Sequence, residues 1–275
     1  MRFASCSFGD RRFAGLVDGD AVRPLRDVAE LGADTPAELL ADPPLTAERL
    51  SLADVDLRPV VPRPGKVVCM GLNYRAHVDE GVYEVPDYPV LFSKFADTLV
   101  AAGDPIVLPP ESSAVDYEAE LAFVIGRRVR RVSGAPALDA VAGYTVANDV
   151  TMRDYQYRTH QWLPGKNWAS STPLGPCLVT PDEVGDPHAL DISLELNGER
   201  MQSGNTRQFI FDVPAMIAVI SEFVPLAPGD VVLTGTPSGV GYRRDPKVLL
   251  RDGDRVVVEI ERVGRLENRV VAEHP

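Results

Sequence analysis

The sequence predicts an α+β protein that is mostly β, and three observations carry that prediction. Short runs rich in β-branched and apolar residues recur from Lys66 onward, each closed by turn residues. Gly-Asp pairs at 103–104, 229–230 and 253–254 each stand just before such a run. Helical periodicity is confined to a few stretches, so repeated βαβ units are not indicated.

Taken in order, residues 1–63 read as a small N-terminal β-rich domain. MRFASCSFGDRRFAGLVDGDAVRPL gives short strands broken by Gly-Asp turns, with helical stretches near Val28–Leu31 and Thr35–Leu40. Four prolines between Pro43 and Pro62, then Pro64, favour an extended connector and set a boundary near Arg63. The second domain, 64–275, carries the strands VVCMG, PVLF, PIVLP, YEAELAFVIG, YTVAND, ISLELNG, VVLTG and RVVVEIE. Its expected helices follow Asn73, span Leu138–Ala142 and span Val213–Phe223, the last with Val213, Ile217 and Ile220 on one face.

With 275 residues, 45% of them hydrophobic, the chain can bury a large core. The formal net charge of −12 repels phosphate backbones and acidic lipid, so neither nucleic acid nor membrane is an expected partner. It repels an anionic metabolite too, and such a substrate needs a local positive centre. No apolar run approaches the roughly 18 residues of a spanning helix, and the N-terminus lacks a signal-peptide core. Cys6, Cys69 and Cys177 are odd in number and fit no zinc spacing, which reads as reduced thiols in a cytoplasmic protein.

The segment Val115–Gly126 is the most informative. On a continuous strand Val115, Tyr117, Ala119, Leu121, Phe123 and Ile125 share one face. Asp116, Glu118 and Glu120 share the other, at about 7 Å between successive Cα atoms. Like charges this close need solvent, protons or a cation between them. The same face turns apolar at Ala122 and Val124. Two readings stand: an acidic edge strand facing water, or a site for Mg²⁺, Mn²⁺ or Ca²⁺, which prefer carboxylate oxygen. Asp149, at the end of GYTVAND, is a third ligand or a turn residue.

In CMGLNYRAHVDEG, Asn73 is a plausible N-cap and Gly81 a plausible C′ residue. His77 and Glu80, three apart on one helix, are either a general base with its orienting acid or a surface pair. His160, His188 and His274 read as solvent-exposed. The loop Tyr155–Ser171 offers Lys166 to an anion or simply exposes it, with Trp162 and Trp168 as anchors. Thr234–Gly241, TGTPSGVG, is neither a P-loop nor a dinucleotide fingerprint; it is a plain turn, or one whose N–H groups hold a carboxylate.

Taken together and in order, GLNYRAHVDE, PVLFSKF, GDPIVLP, VDYEAELAFVIG, VAGYTVANDVTMRD, Gly165-Lys166, TPLGPCLVT, LNGE and PGDVVLTGTPSGVG resemble the fumarylacetoacetate hydrolase family, over roughly Lys66 to Val271. The resemblance implies a mixed β-roll around a barrel-like sheet, a Mg²⁺ or Mn²⁺ cofactor and a homodimer. It places the metal ligands on Glu118, Glu120 and Asp149 and the catalytic residues on His77, Glu80, Lys166 and Gln156. Lys94, Arg153, Gly235 and Thr236 fall on substrate-binding positions. The run Asn167-Trp168-Ala169-Ser170 departs from the family's usual aromatic-then-acid pair.

The implied activity is metal-dependent hydrolysis of the C–C bond of a small 2,4-dioxo acid of the acylpyruvate type. Decarboxylation of a 2-oxo diacid such as oxaloacetate, or isomerisation of a hydroxy-diene-dioate, would use the same apparatus. A protein that binds metal and oxo acid without turnover is the reading of a different class.

Overall fold

The computed structural model describes residues 1–81 and 84–273; His274 lies outside them. Among the described residues one mixed sheet of 12 strands dominates. Its main path runs through the strands at 50–51, 21–24, 11–18, 2–8, 172–179, 141–148, 119–125, 231–233, 67–71 and 90–94. A second, five-stranded sheet takes 199–205, 191–196, 255–260, 264–272 and 106–108. The long sheet is open at both ends of this path, so it curls without closing into a barrel.

The central strand Ala119–Ile125 is buried along its whole length, which is why AELAFVI lacks a polar face. Leu121, Phe123 and Ile125 pack in a core shared with Ile192, Leu194 and Val258 of the second sheet and Val213, Ile217 and Ile220 of the helix Val213–Phe223. Ala122 and Val124 point the other way, into a core shared with Phe3, Ala14, Leu31, Leu40, Val60 and Val61. The three Gly-Asp turns feed strands as expected, with their glycines in the left-handed region.

Residues 1–63 are continuous with the rest. Arg2–Phe8 pairs antiparallel with Thr172–Val179, so the N-terminal strands extend the main sheet. The proline-rich connector packs beneath it, with Val60 N–H bonded to Leu174 O and both Val60 and Val61 fully buried.

Several local expectations need correction. Val28–Leu31 is irregular, because Ala14 and Leu31 N–H groups tie this segment to the first strands. The helix expected at Leu138–Ala142 is Ala135–Leu138, and Val141 already begins the next strand. Val115–Gly126 is not one strand. Val115–Asp116 pairs with Thr151–Met152, while Ala119–Ile125 pairs with Val141–Asn148. Between them Glu118 N–H bonds the Asn148 side chain at 3.0 Å. Asn73 does not cap the helix Arg75–Gly81: its amide bonds Phe211 O and Thr234 O, and its Oδ1 accepts from Phe211 N–H. His188 is half-buried, its Nε2 accepting from Val213 N–H, whereas His160 is exposed.

Candidate active site

Strand register builds the site. Ala119 lies opposite Asn148, so Glu118 and Asp149 meet at the same end of this hairpin, joined by Asp149 N–H to Glu118 O at 2.9 Å. On the other side Ala122 lies opposite Leu233. Two residues further along, Gly235 N–H reaches Glu120 Oε2 at 2.8 Å. Carboxylate oxygens of Glu118, Glu120 and Asp149 thus lie within 4.8 Å of one another, and all three residues are buried.

Three cations accompany the acids. Lys166 Nζ stands 2.8 Å from Glu118 and 2.7 Å from Asp149. Lys94 Nζ bonds the other Asp149 oxygen at 2.7 Å. Arg153 NH2 lies 2.7 Å from Glu118 and 2.8 Å from Asp116, a charge contact and not a well-angled hydrogen bond, while its Nε donates to Asp116 at 2.9 Å. Burial pushes the Glu118 carboxyl up, but Lys166 and then Arg153 outweigh it and hold it at about 2. Burial also works against the Lys166 ammonium, and Asp149 and Glu118 more than compensate, so its pKa is raised. Glu120 is less fortunate. Burial, then Asp149 and Glu118, push its pKa well above the usual carboxylate range.

These residues fit a divalent cation. The donors are hard oxygens on two strands and their loops, as Mg²⁺ and Mn²⁺ require. Glu120, which among the described residues accepts from one backbone N–H and is crowded by two acids, is the carboxylate whose ionised form such an ion would stabilise.

Above the acids is a cleft enclosing about 530 Å³, its open mouth included. Glu118, Glu120, Arg153, Gln156, Lys166, Thr236 and His77 all line it. His77 Nδ1 is 3.1 Å from Glu80 Oε2, and Glu80 Oε1 accepts from Gly239 N–H at 2.9 Å. An acid so placed orients the imidazole and leaves Nε2 as its basic atom. Gln156 accepts from Arg153 NH1 at 2.9 Å. Phe92 and Trp162, packed edge-on at 5.6 Å, form an aromatic wall, with Lys166 Nζ 4.9 Å from the Phe92 ring centre.

Two expected substrate contacts sit elsewhere. Lys94 is buried behind Asp149, bonded also to Lys166 O, and is not on the cleft wall. Gly235 meets Glu120 through its backbone. Lys166, one reading of which was an exposed lysine, is buried.

Sequence reasoning left one feature as an open alternative, misplaced a second and missed a third. Thr234–Gly241 is not a plain turn: Gly235, Gly239 and Gly241 donate N–H groups to Glu120, Glu80 and Asp116 in succession. Asp116, read as one of a row of three, leaves that row at the strand break and faces Gly241, Tyr242 and Arg153 instead. Gln202, which was missed, fixes the turn by donating to Thr236 Oγ1 and Pro237 O. The spacing of glycines in TGTPSGVG was the available signal.

Residues 66–271 match the family described as Fumarylacetoacetate (FAA) hydrolase C-terminal. The chain is 50% identical over 224 residues to human oxaloacetate tautomerase FAHD2A, mitochondrial, covering 81% of this chain and 71% of that one. Among solved structures, 5-carboxymethyl-2-hydroxymuconate delta-isomerase from Mycobacterium smegmatis superposes with a TM-score of 0.85 at 33% identity, covering 99% of this chain and 100% of that one. Maleylpyruvate hydrolase from Sphingobium gives 0.80 at 32%, with 99% and 100% covered. The expectation of a cytoplasmic protein is overturned here, because relatives at 50% identity from human, rat and cattle are mitochondrial proteins. A family match over three quarters of the sequence, with a relative at 50% identity, makes this chain a member of the fumarylacetoacetate hydrolase family.

Proposed function

We propose that the protein is a divalent-metal-dependent enzyme that interconverts the enol and keto forms of a small 2-oxo diacid, with oxaloacetate as the first candidate. The observation that carries this reading is the convergence of three buried carboxylates on one cleft whose wall also carries a paired His77–Glu80. The 50% identity to an oxaloacetate tautomerase favours tautomerisation over the C–C hydrolysis implied by the sequence motifs.

Glu118, Glu120 and Asp149 would hold Mg²⁺ or Mn²⁺, which supplies a Lewis-acid centre for the 1-carboxylate and 2-oxo oxygens of the substrate. Arg153 and Lys166 add the fixed positive charge that an acidic protein otherwise denies to a diacid. Lys166 donates toward the 2-oxo oxygen as negative charge develops there. His77 moves the proton: in the ketonising direction its Nε2 takes the proton from the enol oxygen and delivers it to C3, so one O–H bond breaks, one C–H bond forms and no bond between carbons breaks. Glu80 keeps the imidazole in the tautomer that this transfer needs. Phe92 and Trp162 shield the reacting carbon from bulk water.

The test is to follow the enol absorbance of oxaloacetate with Mg²⁺ while assaying CO₂ and pyruvate. Accelerated loss of enol without either product is the expected result. Rapid CO₂ release would make the protein a decarboxylase, and no acceleration at any metal concentration would end the reading.

A second reading is hydrolysis of an acylpyruvate, favoured by the same His77–Glu80 pair, which could equally deprotonate a water. Cleavage of acylpyruvates to pyruvate and a carboxylic acid, with kcat/KM above that for oxaloacetate ketonisation, would establish it.

A further inference from the structure

Asp116 is fully buried and lies outside the group of acids that face one another in the site. Its oxygens are taken from three directions. Oδ1 accepts from Tyr117 N–H at 2.9 Å and from Gly241 N–H at 2.8 Å. Oδ2 accepts from Tyr242 N–H at 3.1 Å and from Arg153 Nε at 2.9 Å, with Arg153 NH2 at 2.8 Å. Arg153 in turn reaches Glu118 at 2.7 Å and Gln156 at 2.9 Å. Asp116 therefore touches three walls of the cleft from behind: the acidic strand, the short helix Arg153–Gln156 and the turn that carries Tyr242.

Two facts make this more than packing. A buried guanidinium needs a compensating charge, and Glu118 cannot serve Arg153 alone because it is shared with Lys166. The turn is also pressed against the carboxylate: a Cβ at Gly241 would stand 2.8 Å from Asp116 Oδ1 and 1.8 Å from Val248 O.

We propose that Asp116 is a positioning residue for anion binding, which holds the Arg153 guanidinium at the cleft and shares its charge with Glu118. This rests on the reading of the cleft as an oxo-acid site. Without the Asp116 charge, Arg153 would draw on Glu118, and both the anion and the cation would lose a partner. Asp116→Asn keeps the shape but sets an amide N–H against the backbone donors or the guanidinium.

The experiment uses the full chain with Mg²⁺, with oxalate as an unreactive probe of binding and oxaloacetate as the assayed compound. Loss of a charged hydrogen bond weakens binding about tenfold or more. Asp116→Asn is expected to weaken oxalate by that factor and to raise KM far more than it lowers kcat. Added to Arg153→Lys it should cost nothing further, because both remove the same interaction. Oxalate affinity and KM unchanged in Asp116→Asn, with only the melting temperature lowered, would overturn the proposal. So would losses that multiply in the double variant.

Wild-type protein that fails to bind oxalate at all would overturn the oxo-acid reading itself, which separates the two failures. Should Asp116→Asn not fold, the wild type still decides. Spectra of ¹⁵N-arginine-labelled protein should show one Nε–H, assigned by its loss in Arg153→Lys, that is protected from solvent exchange and shifts with oxalate. Exchange as fast as that of a surface arginine would overturn the proposal.

Discussion

Glu120 is the residue on which the site turns. Glu118 is balanced by Lys166 and Arg153, and Asp149 by Lys94 and Lys166, whereas Glu120 has a single backbone N–H. Its pKa is raised by burial and by its two acidic neighbours, which favours the protonated form that a bound cation would compete with. Mg²⁺ affinity should accordingly rise with pH across the range in which Glu120 loses its proton, and calorimetry in buffers of different ionisation enthalpy should record proton release. Glu120→Gln should remove both the proton release and metal-dependent turnover. His77→Ala should lower kcat by about 10²–10⁴, the usual contribution of a positioned acid–base group, while Mg²⁺ affinity measured in parallel stays near wild type. Cys6 and Cys177 behave differently. Burial, the largest influence on each, pushes their thiols up to about 12 and about 11. At pH 8 both are protonated, and a thiolate-directed alkylating agent should modify them only after unfolding.

At the scale of elements, the acidic hairpin and the glycine turn divide the work between side chain and backbone. Gly241→Ala would drive a methyl group to 1.8 Å from Val248 O, and overpacking of this kind costs about 3 kcal/mol. A urea titration should show the midpoint falling with an unchanged slope. Much of this was legible in the sequence. Alternation on VDYEAELAFVIG separated the acids from Leu121, Phe123 and Ile125, which do occupy one core, while Ala122 and Val124 occupy the other. Spacing singled out Glu118 and Glu120, whereas Asp149 joined them only through the family resemblance; the fold brings the three carboxylates within 4.8 Å of one another. Asp116 was misplaced because the strand was read as unbroken. The break depends on Asn148, 30 residues away, taking the N–H of Glu118, and nothing local records such a contact. The burial of Lys94 and Lys166 was illegible for a similar reason: each lysine is tolerated inside only because of a carboxylate far along the chain.

At the scale of the molecule, the first 63 residues share a sheet and a core with the others. The strand Thr172–Val179 lies between Val141–Asn148 and Arg2–Phe8, so removing the N-terminal strands would expose a long, apolar edge in the middle of the sheet. It would also uncover the face of Ala122 and Val124, which packs against Phe3, Ala14, Leu31 and Leu40. A chain starting at Lys66 should aggregate or melt without cooperativity, as read by circular dichroism and light scattering. A proline-dense connector usually signals separable units; here Val60 and Val61 are drawn into the core, a partnership composition does not reveal.

Placing the acids by backbone amides has an evolutionary consequence. Gly235, Gly239 and Gly241 anchor Glu120, Glu80 and Asp116 through atoms that every amino acid but proline possesses, while Thr236, Val240 and Tyr242, interleaved among them, present their side chains to the cleft. Val240 and Tyr242 can therefore drift in size and polarity without disturbing the anchored carboxylates, whereas Thr236 is tied to the turn through Gln202. One scaffold can exchange its repertoire of acids by altering two nearby codons, and libraries randomised at 240 and 242 should yield altered selectivity with the catalytic framework intact.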